Sequence, residues 1–356
     1  MISKEFFKNI DLVAEEKALT VEQVKEAFVQ GLIAGCKKAF DVRSCRVELK
    51  EEKNELLLYT QQLVVEEYSL DNEKNFTQLL LDEAKAIKKT AKVGDIIETK
   101  VSPQDFGHFA VRDFKSRLNE ALITMQKENL FNFFKAMEGN VLSCRVIDVK
   151  DDFYRLDIGR DLTTLLPKKE TLPKDNFHAG DYVKVYVSEV EMKGKWPKVF
   201  VSRTHSNLII KLLENLIPEI KEGIIEIMGI SREPGDRAKI GLKSNDLKVD
   251  PIGACVGEGG ARIKEIVRAL SDEKIDLFRW SDNEHELIAN ALQPSEVVAV
   301  TNINPKDKTA LAIVPDDQLS LAIGKLGQNV KLAVQACGWS IDIKSEQNAA
   351  MEGILY

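Results

Sequence analysis

The chain has 356 residues, 44% of them apolar, and a net charge of −7, which fits two to four ordinary globular domains. No apolar run is long enough to span a bilayer, and Met1-Ile2-Ser3-Lys4-Glu5 does not lead into a signal sequence, so neither a membrane-spanning helix nor secretion is expected. The five cysteines (Cys36, Cys45, Cys144, Cys255, Cys337) are scattered and form no Cys-x-x-Cys pair; neither a zinc site nor a disulfide framework is indicated, and the expectation is a reduced cytoplasm. No cofactor is expected.

Residues 21–40 read as an amphipathic helix, with Val24, Ala27, Phe28, Leu32, Ile33 and Ala34 on one side. Strand-like runs follow at Arg46–Lys50, Glu55–Gln61 and Leu63–Tyr68, then a helix around Asp82–Lys89 and a strand over Gly94–Val101. After Pro103 a helical pattern runs from Phe106 to Met137, on the order of 45 Å if unbroken. Its second half reads as a rigid link that allows a break near Lys127–Asn129. Residues 1–124 are therefore expected to form an α/β N-terminal domain and residues 125–138 a helical linker. Arg112, Lys115 and Arg117 lie on the exposed side of the long helix; they are either a solvated face or a docking face for a large protein partner.

Residues 139–203 alternate apolar and polar through five short runs, beginning with Gly139–Val149, Phe153–Ile158 and Leu162–Pro167 and closing with Tyr182–Val190 and Trp196–Arg203. Five short strands with polar turns fit an OB-fold barrel, which holds single strands by stacking bases on open aromatic rings. Phe153, Tyr154 and His178 are the candidate contacts. Phe153 and Tyr154 point to opposite faces of a strand, so at most one is an open platform. His178 lies in a loop, either stacking on a base or simply exposed.

From Thr204 the order helix, strand, strand, helix, helix, strand occurs twice, over residues 204–281 and 282–345, and residues 346–356 read as a frayed, flexible tail. Each repeat carries the same frame between its last two helices: Val256-Gly257-Glu258-Gly259-Gly260-Ala261-Arg262-Ile263-Lys264, and, 67 residues on, Ile323-Gly324-Lys325-Leu326-Gly327-Gln328-Asn329-Val330-Lys331. Glycines let a phosphodiester backbone approach the amides that open the following helix. A duplicated helix, Gly-x-x-Gly loop and helix beside a sheet is the clamp of a KH domain, here in its bacterial α-β-β-α-α-β order. Lys325 places a cation in the second loop. Glu258 holds the equivalent place in the first, where a carboxylate opposes a phosphate by about 1 kcal/mol at a solvated site. The first clamp is therefore expected to grip less well, unless Arg262 and Lys264 compensate. Residues 204–345 hold 17 basic and 21 acidic side chains, and residues 139–203 hold 12 and 10, so bulk phosphate attraction is not the main source of RNA affinity.

Several segments together resemble the NusA family of bacterial transcription elongation, pausing, termination and antitermination factors. They are Ser202-Arg203-Thr204-His205, Arg232-Glu233-Pro234-Gly235-Asp236-Arg237, Asp250-Pro251-Ile252-Gly253-Ala254-Cys255-Val256-Gly257, Ile288-Ala289-Asn290-Ala291-Leu292-Gln293-Pro294, and the run from Ile313 to Lys325 with Gly327-Gln328-Asn329. The resemblance implies an N-terminal domain that docks on RNA polymerase near the RNA exit channel, and a barrel and KH pair forming one surface over the transcript. It also implies other Nus-type elongation factors as partners. The family's first clamp usually has a basic residue where Gly259 stands, whereas the second loop follows the family pattern. The sequence ends soon after Lys344, without the acidic C-terminal repeats of some relatives, so autoinhibition by such a tail is not expected.

The reading is a multidomain α+β, non-enzymatic and monomeric transcription factor. It would bind RNA polymerase together with nascent single-stranded RNA and RNA hairpins, through Gly257, Glu258, Gly259, Gly260, Arg262 and Lys264 and through Gly324, Lys325, Leu326, Gly327, Gln328, Asn329 and Lys331. One rival is an RNA-degrading enzyme with appended OB and KH domains; residues 1–124 show no metal-ligand spacing, P-loop or nucleophile motif for it. The Asp316-Asp317 pair reads as a helix N-terminus, where anions offset the dipole. A ribosome-associated KH protein is the third reading.

Overall fold

The structure is a computed structural model that describes residues 6–53, 55–68, 75–194 and 196–356; the first five residues, read above for a leader, lie outside it. Two compact units divide between Phe133 and Phe134. Among the described residues no helix is long and apolar enough to cross a membrane.

The first unit opens with α1 (Phe6–Lys17), which the pattern reading passed over, and α2 (Val21–Phe40). Thr20 starts α2 with a capping box: its hydroxyl accepts from the Gln23 amide at 3.2 Å, and Gln23 Oε1 accepts from the Thr20 amide at 3.0 Å. The sheet contains β1 (Ser44–Lys50), β2 (Glu55–Val65), β3 (Thr77–Leu80) and, after α3 (Leu81–Ile87), β4 (Ile96–Val101). The two runs expected on either side of Gln62 are one strand. β4 pairs with β2 from Leu58 through Leu63, carrying the ladder across the polar Gln61 and Gln62, and Gln61 donates to Glu98 at 2.9 Å. α4 (His108–Lys135) is a single 28-residue helix without the allowed break. Its Ala121 and Leu122 join Ile10, Ala14, Val24 and Ala27 in one core, with Met125 packed against them. Asn129 and Gln23 exchange two amide hydrogen bonds of 2.9 and 3.0 Å. The stretch expected to be a bare linker is therefore partly packed on the first unit.

In the second unit, β5 (Val141–Val149), β6 (Phe153–Asp157), β7 (Thr163–Pro167), β8 (Tyr182–Lys193) and β9 (Trp196–Ser202) form an antiparallel sheet in the order β7-β6-β5-β8-β9. The Thr164 hydroxyl on β7 donates to the Val199 carbonyl on β9, which nearly closes the barrel. The first repeat follows as α5 (Asn207–Leu216), α6 (Pro218–Lys221), β10 (Ile225–Glu233), β11 (Arg237–Ser244), α7 (Pro251–Val256), α8 (Ala261–Ala269) and β12 (Lys274–Arg279). The second is α9 (Glu284–Ala291), β13 (Ala299–Asn304), β14 (Thr309–Val314), α10 (Leu319–Ile323), α11 (Gln328–Cys337) and β15 (Ser340–Ser345). In each sheet the first two strands are antiparallel and the last two parallel, the α-β-β-α-α-β arrangement expected.

Two joints hold this unit together. Between barrel and first repeat, Leu172 and Tyr186 enter the core built by Leu208, Leu212, Ile240 and Ile266. Arg203 and Asp175, 1% and 0% exposed, form an ion pair at 2.7 Å. Between the repeats, β10 touches α11 so closely that a Cβ on Gly229 would stand 2.0 Å from the Ala336 carbonyl oxygen. Lys239, 1% exposed, donates to the Ala291 and Gln293 carbonyls at 2.8 and 2.7 Å and so closes the C-terminus of α9. By strand register Lys239 corresponds to Leu311, which packs with Ile313 against Ala349 of α12 (Glu346–Met351). α12 thus covers on the second sheet what α9 covers on the first. The first part of the tail expected to fray is instead a docked helix, capped by the Ser345 hydroxyl, while Leu355 and Tyr356 beyond it are exposed.

Candidate nucleic-acid interface

The two Gly-x-x-Gly loops have nearly the same backbone. Gly257 (φ 72°, ψ 175°) matches Gly324 (77°, 169°), and Gly260 (77°, 18°) matches Gly327 (75°, 14°). The first glycine of the second loop is needed for contact as well as for φ: a Cβ at Gly324 would lie 2.7 Å from the Asn329 amide nitrogen. The last glycine has another role, because a Cβ at Gly327 would meet nothing within 4 Å. It gives a left-handed turn in open space, with the first amides of α11 behind it. Gly259 likewise faces open space. At the matching place the second loop has Leu326, 98% exposed at φ 55°, a conformation that costs an L-residue about 1–2 kcal/mol.

A groove of about 740 Å³ opens beside the first loop. Ile252, Val256 and Ile263 form one wall and Ile275 and Leu277 of the edge strand β12 the other, while Gln293 to Val297, leading into the second repeat, closes its end. The trough between the glycine loop and the sheet edge has a mixed lining, with Asp276, Asn290, Gln293 and Ser295 beside the apolar walls, a combination that suits splayed bases, which need both stacking surface and hydrogen-bond partners. These wall residues were not among the candidates. Their signal was present, since apolar side chains flank the first loop on both helices, but it reads equally as core.

The NusA N-terminal domain family matches residues 5–128, the NusA-like first KH domain residues 203–280, and the NusA-like second KH domain residues 284–351. A protein of Halalkalibacterium halodurans named transcription termination/antitermination protein NusA is 38% identical over 99% of this chain and 91% of its own length. Proteins of the same name from Bacillus subtilis and Thermus thermophilus are 36% and 33% identical, each over 99% of this chain and 94% and 93% of their own lengths. The chain belongs to the NusA family.

In this NusA-family chain most cations placed at the loops by sequence are already engaged. Arg262 Nη1 donates to the Ala254 carbonyl at 2.7 Å and to the Glu219 carboxylate at 3.1 Å, and Lys264 Nζ folds back on the Gly259 carbonyl at 2.8 Å. Compensation for Glu258 by these two side chains is therefore not what the geometry shows. Gln328 Nε2 donates to Glu233 and Asp236, both at 2.6 Å, and Lys331 Nζ to Glu233 at 2.9 Å. The Gln328 and Lys331 hydrogen bonds hold the Glu233 carboxyl below its usual range. Asn329 is buried; its amide donates to the Leu292 and Ala322 carbonyls at 3.0 and 2.9 Å, so it ties α11 to α9 and α10 and does not face solvent. Lys325 is exposed and has no side-chain partner among the described residues.

On the barrel, Tyr154 is a core residue and not a platform. It is 2% exposed, with Lys168 Nζ 3.6 Å from its ring centroid and Phe177 edge-on at 5.3 Å. Phe153 is half-buried and His178 exposed, the latter 3.7 Å from Asp181. On α4, Arg112, Lys115 and Arg117 are all exposed; Arg112 lies 5.4 Å from the Phe109 ring, itself 62% exposed, and Arg117 pairs with Glu120 at 3.0 Å. Asp316 accepts from the Gln347 amide at 3.1 Å and so serves α12.

Proposed function

We propose that this chain is a transcription termination and antitermination factor. It would bind RNA with its two Gly-x-x-Gly loops and the groove beside the first, and dock on RNA polymerase through its N-terminal residues. The observation that carries this is the matched pair of left-handed glycine turns, each at the start of a helix of at least nine residues, the second opening onto free space and the first covered only by the Lys264 side chain. The names of the relatives support the transcription role. Residues 1–124 are the polymerase-binding part in this reading, with Arg112, Lys115 and Phe109 on its contact face. Residues 139–203, 204–281 and 282–345 are the barrel and the two KH domains that face the transcript. Docking on polymerase raises the effective concentration of RNA at the loops, so weak contacts suffice.

The test uses Lys325→Glu with Gly327→Asp, which leaves Gly324 and its contact with Asn329 intact. RNA affinity should fall at least about tenfold, which corresponds to about 1.4 kcal/mol; unchanged affinity would sink the RNA reading. Arg112→Glu with Lys115→Glu in the full chain should abolish co-purification with polymerase while RNA affinity is retained.

A further inference from the structure

With Tyr154 in the core and Phe153 half-buried, the most exposed Phe, Tyr or Trp ring of the barrel lies elsewhere on its surface. Tyr182, at the start of β8, is 74% exposed, against 42% for Phe200 and 41% for Trp196. Directly across the β5–β8 ladder from it stands Arg145, exposed and without a side-chain partner among the described residues. Paired positions on one face of an antiparallel ladder bring Cβ atoms to about 5 Å, within reach for a guanidinium beside a ring. Asp157, the neighbour of Arg145 on the other side, accepts from its own turn at the Gly159 amide, 2.8 Å away.

The same outer face of β8 leads toward the first loop. Two residues along from Tyr182, Lys184 Nζ reaches Glu265 of α8 at 4.0 Å, and two further on Tyr186 is buried in the joint with the first repeat. α8 then runs back to Gly260, with Ala261, Lys264, Glu265 and Arg268 exposed along it. A strand lying on Gly259 and Gly260 and following α8 arrives at Tyr182. Exposure separates this face from the other aromatic surface of the barrel, where Phe200 on β9 stands across from Glu189 and Trp196 across from Lys193, and where both rings are little more than half as exposed as Tyr182.

We propose that the Tyr182 ring, with the Arg145 guanidinium beside it, is the platform on which the barrel stacks a base of single-stranded RNA, on the face that follows α8 to the first Gly-x-x-Gly loop. This rests on the RNA-binding reading above. It makes the barrel's contribution a matter of ring area and one cation, tolerant of base identity.

The experiment measures binding of the full chain to two unstructured RNAs, one of about six nucleotides, enough for a single KH clamp, and one of about sixteen, enough to reach a barrel. Tyr182→Ala should weaken the longer RNA about tenfold and leave the shorter unchanged. Tyr182→Trp should retain affinity, and Phe200→Ala should have no effect. If Tyr182→Ala leaves the longer RNA unaffected while Lys325→Glu with Gly327→Asp weakens it, the platform is wrong and the RNA reading stands. If neither weakens it, the RNA reading itself fails. Equal loss for both RNAs, or loss of polymerase co-purification alone, would also overturn the platform, the latter making this face a protein contact.

Discussion

Arg203 is the most heavily bonded side chain of the barrel joint, and replacing it with Met tests whether that joint is a rigid part of the molecule. Arg203 Nε and Nη2 donate to the two Asp175 oxygens at 2.7 and 3.0 Å, Nη1 donates to the Lys184 carbonyl at 2.6 Å, and Nη2 also reaches the Ala269 carbonyl at 3.1 Å. Met fills much of the volume but strands a buried carboxylate. Removing one partner of a buried ion pair costs about 3–5 kcal/mol. Asp175 would keep its bonds from the Leu172 amide and the Ser271 hydroxyl, at 2.8 and 2.6 Å, which argues for the lower end, about 3 kcal/mol. All three tryptophans (Trp196, Trp280, Trp339) lie beyond Phe133, so their fluorescence in urea follows the second unit alone. With a urea dependence of about 2–3 kcal/mol per molar, the midpoint should fall by about 1 M. Adding Asp175→Asn neutralises the stranded charge and should restore about half of the loss. A fall of less than about 0.3 M, or a double variant as unstable as the single, would refute the argument.

Leu326→Gly should stabilise the second repeat by about 0.5–1 kcal/mol, because relief of the left-handed strain exceeds the entropy that glycine adds to the unfolded chain and no buried surface is lost; a lowered melting temperature would contradict it. Burial holds the Lys239 ammonium down to about 8 from its ordinary 10.5. Between these values the unfolded chain keeps a proton that the folded chain has released, so this residue's contribution to stability should rise with pH across that window. The urea midpoint of the native chain should then gain on that of Lys239→Met between about pH 8 and pH 10.5; the reverse would mean that the bonds to Ala291 and Gln293 outweigh burial. Few unengaged cations face the RNA path, so raising salt from about 50 to 200 mM should weaken RNA binding less than about twentyfold, corresponding to roughly three phosphate contacts; a steeper fall in a filter-binding titration would show that more lysines and arginines are recruited.

What sequence could show here depends on how far apart interacting residues lie. The glycine turns were legible because φ and open space are local demands, and the second copy repeated the first. The strand order of both repeats and the five barrel strands followed from alternation, which is also local. The roles of the loop cations were not legible. Arg262 finds Glu219 43 positions back, Lys331 finds Glu233 98 positions back, and Asn329 caps Leu292 37 positions back, and none of these spacings has a period. Alternation likewise gave Phe153 and Tyr154 opposite faces without saying which face is inside. The docked α12 did leave a sign: Ser345 followed by Glu346 and Asn348 is a helix start.

The acidic balance of residues 204–345 takes on a physical meaning once the joints are known. Arg232 is buried against the Glu273 carboxylate and Lys239 against the Ala291 and Gln293 carbonyls, and Lys331 meets Glu233 across the two repeats. Lys239 and Lys331 thus serve first to join one repeat to the other. A surface assembled this way cannot attract RNA strongly from a distance, since among the described residues Lys325 is the loop cation without a side-chain partner. It can hold RNA well once the strand is delivered, because two clamps at a fixed separation present their amides together and the second contact costs no further search. Rigidity at the joints and weak intrinsic attraction are then two sides of one arrangement, the one that the proposed docking on polymerase requires.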